Sequence, residues 1–197
     1  PIFEGDKAGV SSLTGSLIGS GTKNISKDAF NEEVDYLGAN LSFSSQGARL
    51  NSLSKYFPRI LELMADGSQN PIFTQEDFDK EVNILLDGIK SGEKSVATIA
   101  SRAQSALAYG KKHPYGEFTS KETVENIALA DVQNFYNTYF KPNNAYLVIV
   151  GDVNFEEVKK LVKKQFSNWK KGELPAYSIP VVNNVTETEI DFIDMPN

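Results

Sequence analysis

Residues 145–169 constrain the fold of this chain more than any other stretch. Ala145–Gly151 is a continuous apolar, β-branched run, which predicts a buried strand. Asn154–Trp169 follows almost at once, and its apolar residues recur at helical spacing, which predicts an amphipathic helix. That apolar stripe consists of Phe155, Val158, Leu161, Val162, Phe166 and Trp169, with paired lysines on the opposite face. The stretch therefore indicates both strand and helix in one chain.

The rest of the sequence contains further helical patterns separated by glycine, proline and capping residues. Ser26 is placed to cap a helix that reaches Leu37, where Gly38 ends it. Ser54 is expected to cap another, and Thr74 with Asp77 resembles a capping box. The predicted helices span 8–20, 27–37, 58–65, 75–109 with a break near Gly88 and Ser91-Gly92, 121–127 and 129–140.

Strand patterns are fewer and shorter. In residues 40–44, Leu41 and Phe43 alternate with Ser42 and Ser44, as in a half-buried strand. Further strands are expected at residues 48–53 and near 189–193. Because strands and helices do not follow a regular βαβ rhythm, we predict an α+β fold. Its sheet is expected to be mostly antiparallel, with helices packed mainly on one face.

Composition excludes several classes of protein. The chain has 197 residues and a formal charge of -6, which argues against a nucleic-acid-binding domain. It contains no cysteine, so disulfides, thiolate metal sites and thiol catalysis are excluded. No apolar run is long enough to predict a membrane span. We expect one domain over 1–197, as a fragment of a longer multidomain chain.

A search for catalytic motifs finds none from the residues alone. The single histidine, His113, lies in a His-Pro-Tyr-Gly turn, and a structural role is expected for it. A Gly-x-Ser-x-Gly elbow, a phosphate-binding loop and a dinucleotide fingerprint are all absent. Asp87 and Glu93 are a possible carboxylate pair, although a solvated helix face is the simpler interpretation.

The order of several segments resembles the insulinase/pitrilysin metallopeptidases, the family that includes the mitochondrial processing peptidases. The resemblance covers nearly the whole chain, and its last segment is the most specific. The matching segments are the helix from Gly9 to Gly21-Thr22, VDYLGANLSFSS at 34–45, FDKEVNILLDGIK at 78–90, HPYG at 113–116 and FYNTYFKPNNAYLVIVGDV at 135–153.

The resemblance also implies what has been lost. Active members carry H-x-x-E-H on the first helix and a further zinc-binding Glu on the long helix downstream. When Gly21-Thr22 is aligned with the family's Gly-Thr, the histidines fall on Ser12 and Ser16 and the catalytic Glu on Gly15. The downstream ligand falls on Gly88, beside Asp87. We therefore predict no bound zinc, no other cofactor and no proteolysis by this domain alone.

The family further implies a role beside an active partner. Its enzymes enclose unfolded peptide between homologous halves, one of which often lacks zinc. The partner would be a zinc-bearing homologue or further domains of the same chain. The strand Leu41, Ser42, Phe43 and Ser44 corresponds to the edge that pairs with substrate.

Two other functions stay open from the sequence. One is a binding or scaffold module unrelated to proteolysis, and the other is a peptidase with atypical ligands, which a single histidine disfavours. The expected compartment is periplasmic or secreted and bacterial, rather than cytoplasmic.

Overall fold

A computed structural model describes residues 2–183 and 185–194 of the chain. The helices are α1 Val10–Leu17, α2 Lys27–Tyr36, α3 Phe57–Gln69, α4 Gln75–Gly92, α5 Val96–Tyr109, α6 Lys121–Glu125, α7 Leu129–Tyr139 and α8 Phe155–Phe166. The strands are β1 Asn40–Ser44 and β2 Gly47–Asn51. Among these described residues, no helix is both long and apolar enough to cross a membrane.

The chain divides into two compact units. The first unit takes in the described residues of Pro1–Val10, Val82–Ala128 and Ala176–Asn197. The second takes in Ser11–Glu81 and Leu129–Pro175.

The second unit is built on α3, which buries seven of its 13 residues. Ile60, Leu61 and Leu63 are fully buried, as expected for a central helix. One face of α3 packs with α2, and the hairpin β1–β2 lies against the same cluster. The other face receives the apolar stripe of α8. Burial of these side chains contributes about 1.5–3 kcal/mol each.

Several local predictions in the second unit are confirmed. The Ser26 side chain accepts a hydrogen bond from the Ala29 N–H and so caps α2. Gly38, at φ +57°, ends that helix. The Thr74 hydroxyl accepts a hydrogen bond from the Asp77 N–H at 3.1 Å, which caps α4. Ser54 does not cap α3; it begins a 3-10 turn that precedes the helix.

In the first unit, polar side chains bind the start of the chain. The Glu117 carboxylate accepts hydrogen bonds from the backbone N–H groups of Glu4 and Gly5. The Thr123 hydroxyl donates to the Ala8 carbonyl at 2.8 Å. Ser120 and Thr123 form a reciprocal capping box at α6. By contrast, α5 contains no buried residue.

The sheet differs from the sequence prediction. The described residues combine helices with one two-stranded antiparallel sheet. The mixture of helix and strand is therefore confirmed, but the larger sheet that the sequence predicted is not found among these residues. The strands expected at 145–151 and 189–193 are not assigned as strands. Tyr146, Val148 and Val150 are 99%, 81% and 93% exposed, whereas Ile149 packs against α3 and α8. A strand forms only where a neighbour accepts its backbone hydrogen bonds, and the described residues supply none there.

Candidate functional site

The site suggested by the sequence begins on α1. Leu13 and Leu17 are buried and anchor this helix. Ser12 and Ser16, one turn apart, lie on its exposed side. Gly15, which lies between them in the sequence, is buried. The hydroxyls of Ser12 and Ser16 are poor ligands for Zn²⁺, and Gly15 has no side chain.

Gly15 brings α1 into direct contact with the end of β1. A Cβ atom built at Gly15 would lie 2.7 Å from the carbonyl carbon of Ser44 and closer still to the backbone nitrogen of Ser45. Backbone atoms cannot rotate away as a flexible side chain can. The helix therefore approaches the strand closely because residue 15 is glycine.

Gly88 is in a different setting. It lies on α4 in the first unit, is exposed, and has no atom within 4 Å of a Cβ built on it. The neighbouring Asp87 is also exposed. Across residues 2–183 and 185–194, no group of three or more His, Cys, Asp or Glu side chains could hold a metal ion.

The β1 strand has β2 on one side. Ser44 pairs with Gly47 across the two-residue loop, and residues flanking such a loop form a hydrogen-bonded pair. Pairs then alternate along the hairpin, so the N–H and C=O groups of Leu41 and Phe43 point to the opposite edge. The side chains of Leu41 and Phe43 are half-buried, whereas those of Ser42 and Ser44 are exposed.

Phe43 fixes the position of this strand. Its ring lies 6.3 Å from that of Phe30. A Cβ at Gly19 would approach the ring to 2.8 Å, and one at Gly67 would overlap it. Two glycines thus make room for one aromatic ring, which sequence analysis did not predict because Gly19 and Gly67 are far apart in the chain.

His113 is buried in an aromatic cluster. Its Nδ1 accepts a hydrogen bond from the Tyr115 N–H at 3.0 Å, and its ring stacks on Tyr109 at 5.1 Å. Nδ1 therefore acts as the acceptor in this turn. The contacts describe a side chain that holds the turn at residues 113–116.

Sequence analysis missed a polar cleft in the second unit. Its volume is about 700 Å³, and Asp66 is part of its lining. The Asp66 carboxylate accepts hydrogen bonds from Thr22, Asn24 and Asn70. The lining comes from three separated stretches of chain, so no local motif could have revealed it.

Comparison with known proteins shows the family. Residues 2–117 match the model of the insulinase family, peptidase family M16. Residues 126–196 match the model described as the peptidase M16 inactive domain. Because the first match covers more than half of the chain, this protein belongs to the insulinase (M16) family.

Two relatives in sequence are a mitochondrial complex subunit and a bacterial zinc protease. Cytochrome b-c1 complex subunit 1 of mouse mitochondria is 26% identical over 153 residues, which is 75% of this chain and 32% of that protein. The zinc protease PqqE of Helicobacter pylori is 25% identical over 183 residues, which is 88% of this chain and 40% of the protease.

A solved structure shares the fold. The first half of the periplasmic protease PqqL from Escherichia coli superposes with a TM-score of 0.70 at 17% identity. The superposition covers 88% of this chain and 40% of that structure. The chain thus spans about two fifths or less of the length of these three proteins.

Proposed function

We propose that this chain is the non-catalytic part of an M16 assembly, which binds extended peptide beside a zinc-bearing homologue. The homologue is either a separate protein or another part of the same chain. In this proposal the homologue cleaves the peptide, and the present chain helps to enclose it. The match of residues 126–196 to the inactive-domain model supports a role without chemistry.

One observation carries the proposal. Helix α1 keeps its buried anchors, Leu13 and Leu17, while Ser12, Gly15 and Ser16 present nothing that could bind zinc or activate water. The assignment of these three positions to the family's zinc motif rests on the sequence resemblance. Gly15 adds support, because its contact with Ser44 and Ser45 fills the space that a glutamate would need.

The proposed peptide-binding edge is β1. The outward N–H and C=O groups of Leu41 and Phe43 could accept an added strand, a mode that tolerates many peptide sequences. At Ser44 the contact with Gly15 limits access, so the proposed pairing is centred on residues 41–43.

The exposed segment 145–150 suggests how the domain is completed. Its alternating burial, with Ile149 inward and Tyr146 and Val148 outward, is that of a strand without neighbours. We propose that it joins a larger antiparallel sheet, with helices on one face, when the chain is part of a longer multidomain protein.

We also propose a periplasmic or secreted compartment for the protein. A tagged parent protein should then appear in the periplasmic fraction of bacterial cells.

Reconstitution tests the function. The chain within its full-length parent would be mixed with the zinc-bearing homologue and an unfolded fluorogenic peptide. We expect a complex by size-exclusion chromatography and faster cleavage than with the homologue alone. If neither a complex nor a change in cleavage is found, the proposal fails. A complex that leaves cleavage unchanged would favour the alternative, a binding or scaffold module.

Site-specific crosslinking tests the edge. Since the chain has no cysteine, Ser42→Cys provides the only thiol. A photoreactive label there should crosslink to an added unfolded peptide. The same label at Glu32→Cys, an exposed position on α2, is the matched control. Equal crosslinking from both positions would rule out binding at β1.

A further inference from the structure

The polar cleft in the second unit brings several polar side chains and one aromatic ring together. It lies between the C-terminal turns of α3 and α8 and the loop that contains Asn24. Its walls combine amide side chains with one aromatic ring: Asn24, Gln69, Asn70, Gln165, Asn168 and Trp169. A few convergent polar groups in a concave site are the usual requirement for recognising a small ligand.

The hydrogen bonds inside the cleft orient its acceptors. Asn24 and Asn70 donate through Nδ2 to Asp66 Oδ1 at 2.6 and 2.8 Å. Gln69 donates through Nε2 to the carbonyls of Ala65 and Gln165 at 3.1 and 3.0 Å. Both N–H donors of Gln69 are thus used within the described residues, whereas these bonds use one of the two donors of Asn24 and of Asn70. The side-chain carbonyl oxygens of the three amides can accept hydrogen bonds from a ligand.

The cleft also offers donors and a ring face. Within the described part of the chain, Lys164 and Lys170 have no ion-pair partner, whereas Arg59 is neutralised by Glu33 and Glu62. Trp169 is half-buried with its ring 6.0 Å from that of Phe166. Ammonium donors, amide acceptors and an indole therefore surround one volume of about 700 Å³.

These groups favour a polyhydroxylated ligand over a charged or peptide ligand. The lining carries charges of both signs, so a ligand of either charge would meet a like charge from Asp66 or from the two lysines, and a neutral ligand would not. The cleft walls are helix ends and a loop, which supply no strand edge for a peptide. Sugar hydroxyls both donate and accept hydrogen bonds, and the C–H face of a sugar ring packs on an aromatic ring. We propose that this cleft binds a neutral saccharide, with one ring against Trp169 and its hydroxyls on the Asn24, Gln69 and Asn70 amide oxygens and on Lys164.

The single tryptophan makes the proposal directly measurable. Trp169 is the only tryptophan in the chain, so the emission of the protein reports on this cleft. The probes are maltotriose, cellotriose and tri-N-acetylchitotriose, each added at millimolar concentration to the 197-residue chain. We expect a saturable change in tryptophan emission with at least one of them. Saturation-transfer NMR should show the sugar C–H protons in contact with aromatic protons, and Trp169→Phe should weaken that signal.

A matched pair of variants separates the cleft from its surroundings. Lys164→Ala removes a lining ammonium, and Lys163→Ala removes an exposed neighbour on the same helix that does not line the cleft. Loss of one hydrogen bond to a charged group should weaken binding by about tenfold for Lys164→Ala alone. The proposal is overturned if no saccharide gives a saturable change, if both variants weaken binding equally, or if an unfolded peptide binds the cleft and the saccharides do not.

Discussion

At the scale of the residue, Gly15 decides what α1 can carry. The backbone of Ser44 and Ser45 occupies the position that a side chain at residue 15 would need. A glycine inside a helix costs about 1 kcal/mol relative to alanine, so its presence here is explained by the close approach. The absence of a side chain at residue 15 therefore allows β1 to pack directly against α1.

Gly15→Ala is expected to destabilise the chain. Overpacking against backbone costs about 1–3 kcal/mol, which exceeds the gain of about 1 kcal/mol in helix propensity. Ser16→Ala, at the exposed next position, should change the free energy of unfolding by less than about 0.5 kcal/mol. Urea denaturation of both variants measures the difference. A Gly15→Ala protein as stable as the parent would show that α1 and β1 do not touch at this point.

Glu33 gives the chain a defined acid dependence. Its carboxylate accepts two hydrogen bonds from Arg59, at 2.6 and 2.7 Å, and these bonds hold the pKa of Glu33 below its usual value. A lowered pKa in the folded state means that the pair stabilises the protein above the unfolded pKa. That stabilisation is lost as the pH falls through the folded pKa of Glu33.

Glu33→Gln should therefore lower stability near neutral pH by about 1 kcal/mol. The effect is small because the side chains of Arg59 and Glu33 are 40% and 31% exposed and solvent screens the pair. The difference from the parent should shrink to nothing at pH values below the folded pKa. Glu32→Gln, on the exposed side of α2, is the control. A difference that is constant from neutral to acid pH would contradict the assignment to this ion pair.

At the scale of the element, residues 145–150 show what periodicity can and cannot predict. The continuous apolar run predicts a strand covered on both faces, and Ala145 at its start is extended. Yet only Ile149 packs into a described apolar cluster, while Val148 and Val150 are exposed. Local sequence records the burial that a segment requires, but a strand also depends on neighbours elsewhere in the structure. By contrast, Ser26 and Thr74 act within one helical turn, so both caps were predictable.

Paired substitutions test this alternation. In the 197-residue chain, Val148→Ser should change the free energy of unfolding by less than about 0.5 kcal/mol, as at other exposed positions. Ile149→Ala should cost about 1–2 kcal/mol, below the usual range for a fully buried isoleucine because it is half-buried. Thermal and urea unfolding measure both. A reversed order would mean that the segment presents its other face to α3 and α8.

At the scale of the whole molecule, the sequence predicted the helices but not the contacts that join distant segments. The helical stripe of α8 and the break between α4 and α5 follow from local spacing, and both were found, although Phe155 at the start of the stripe is exposed. The polar cleft and the seat of Phe43 between Gly19 and Gly67 join distant parts of the chain. Such features depend on tertiary contacts that no pattern within one element records.

Burial is also distributed unequally between the two units, and this predicts unequal local stability. Helix α3 in the second unit buries seven residues, including Ile60 and Leu61, whereas α5 in the first unit buries none. The helices are similar in length, with 13 and 14 residues, so length does not favour either. An amide exchanges when its helix opens, and opening α5 exposes much less apolar surface.

Hydrogen exchange followed by mass spectrometry measures this difference. After correction for intrinsic rates, the protection factors of α5 amides should be at least about tenfold lower than those of α3 amides. A tenfold difference corresponds to an opening free energy that is lower by about 1.4 kcal/mol. Helix α8 packs on α3 through Val158 and Leu161. The protection factors of its amides should therefore be closer to those of α3 than to those of α5. Equal protection of α3 and α5 would show that the two helices open only with the whole chain. The two units would then unfold as one cooperative body.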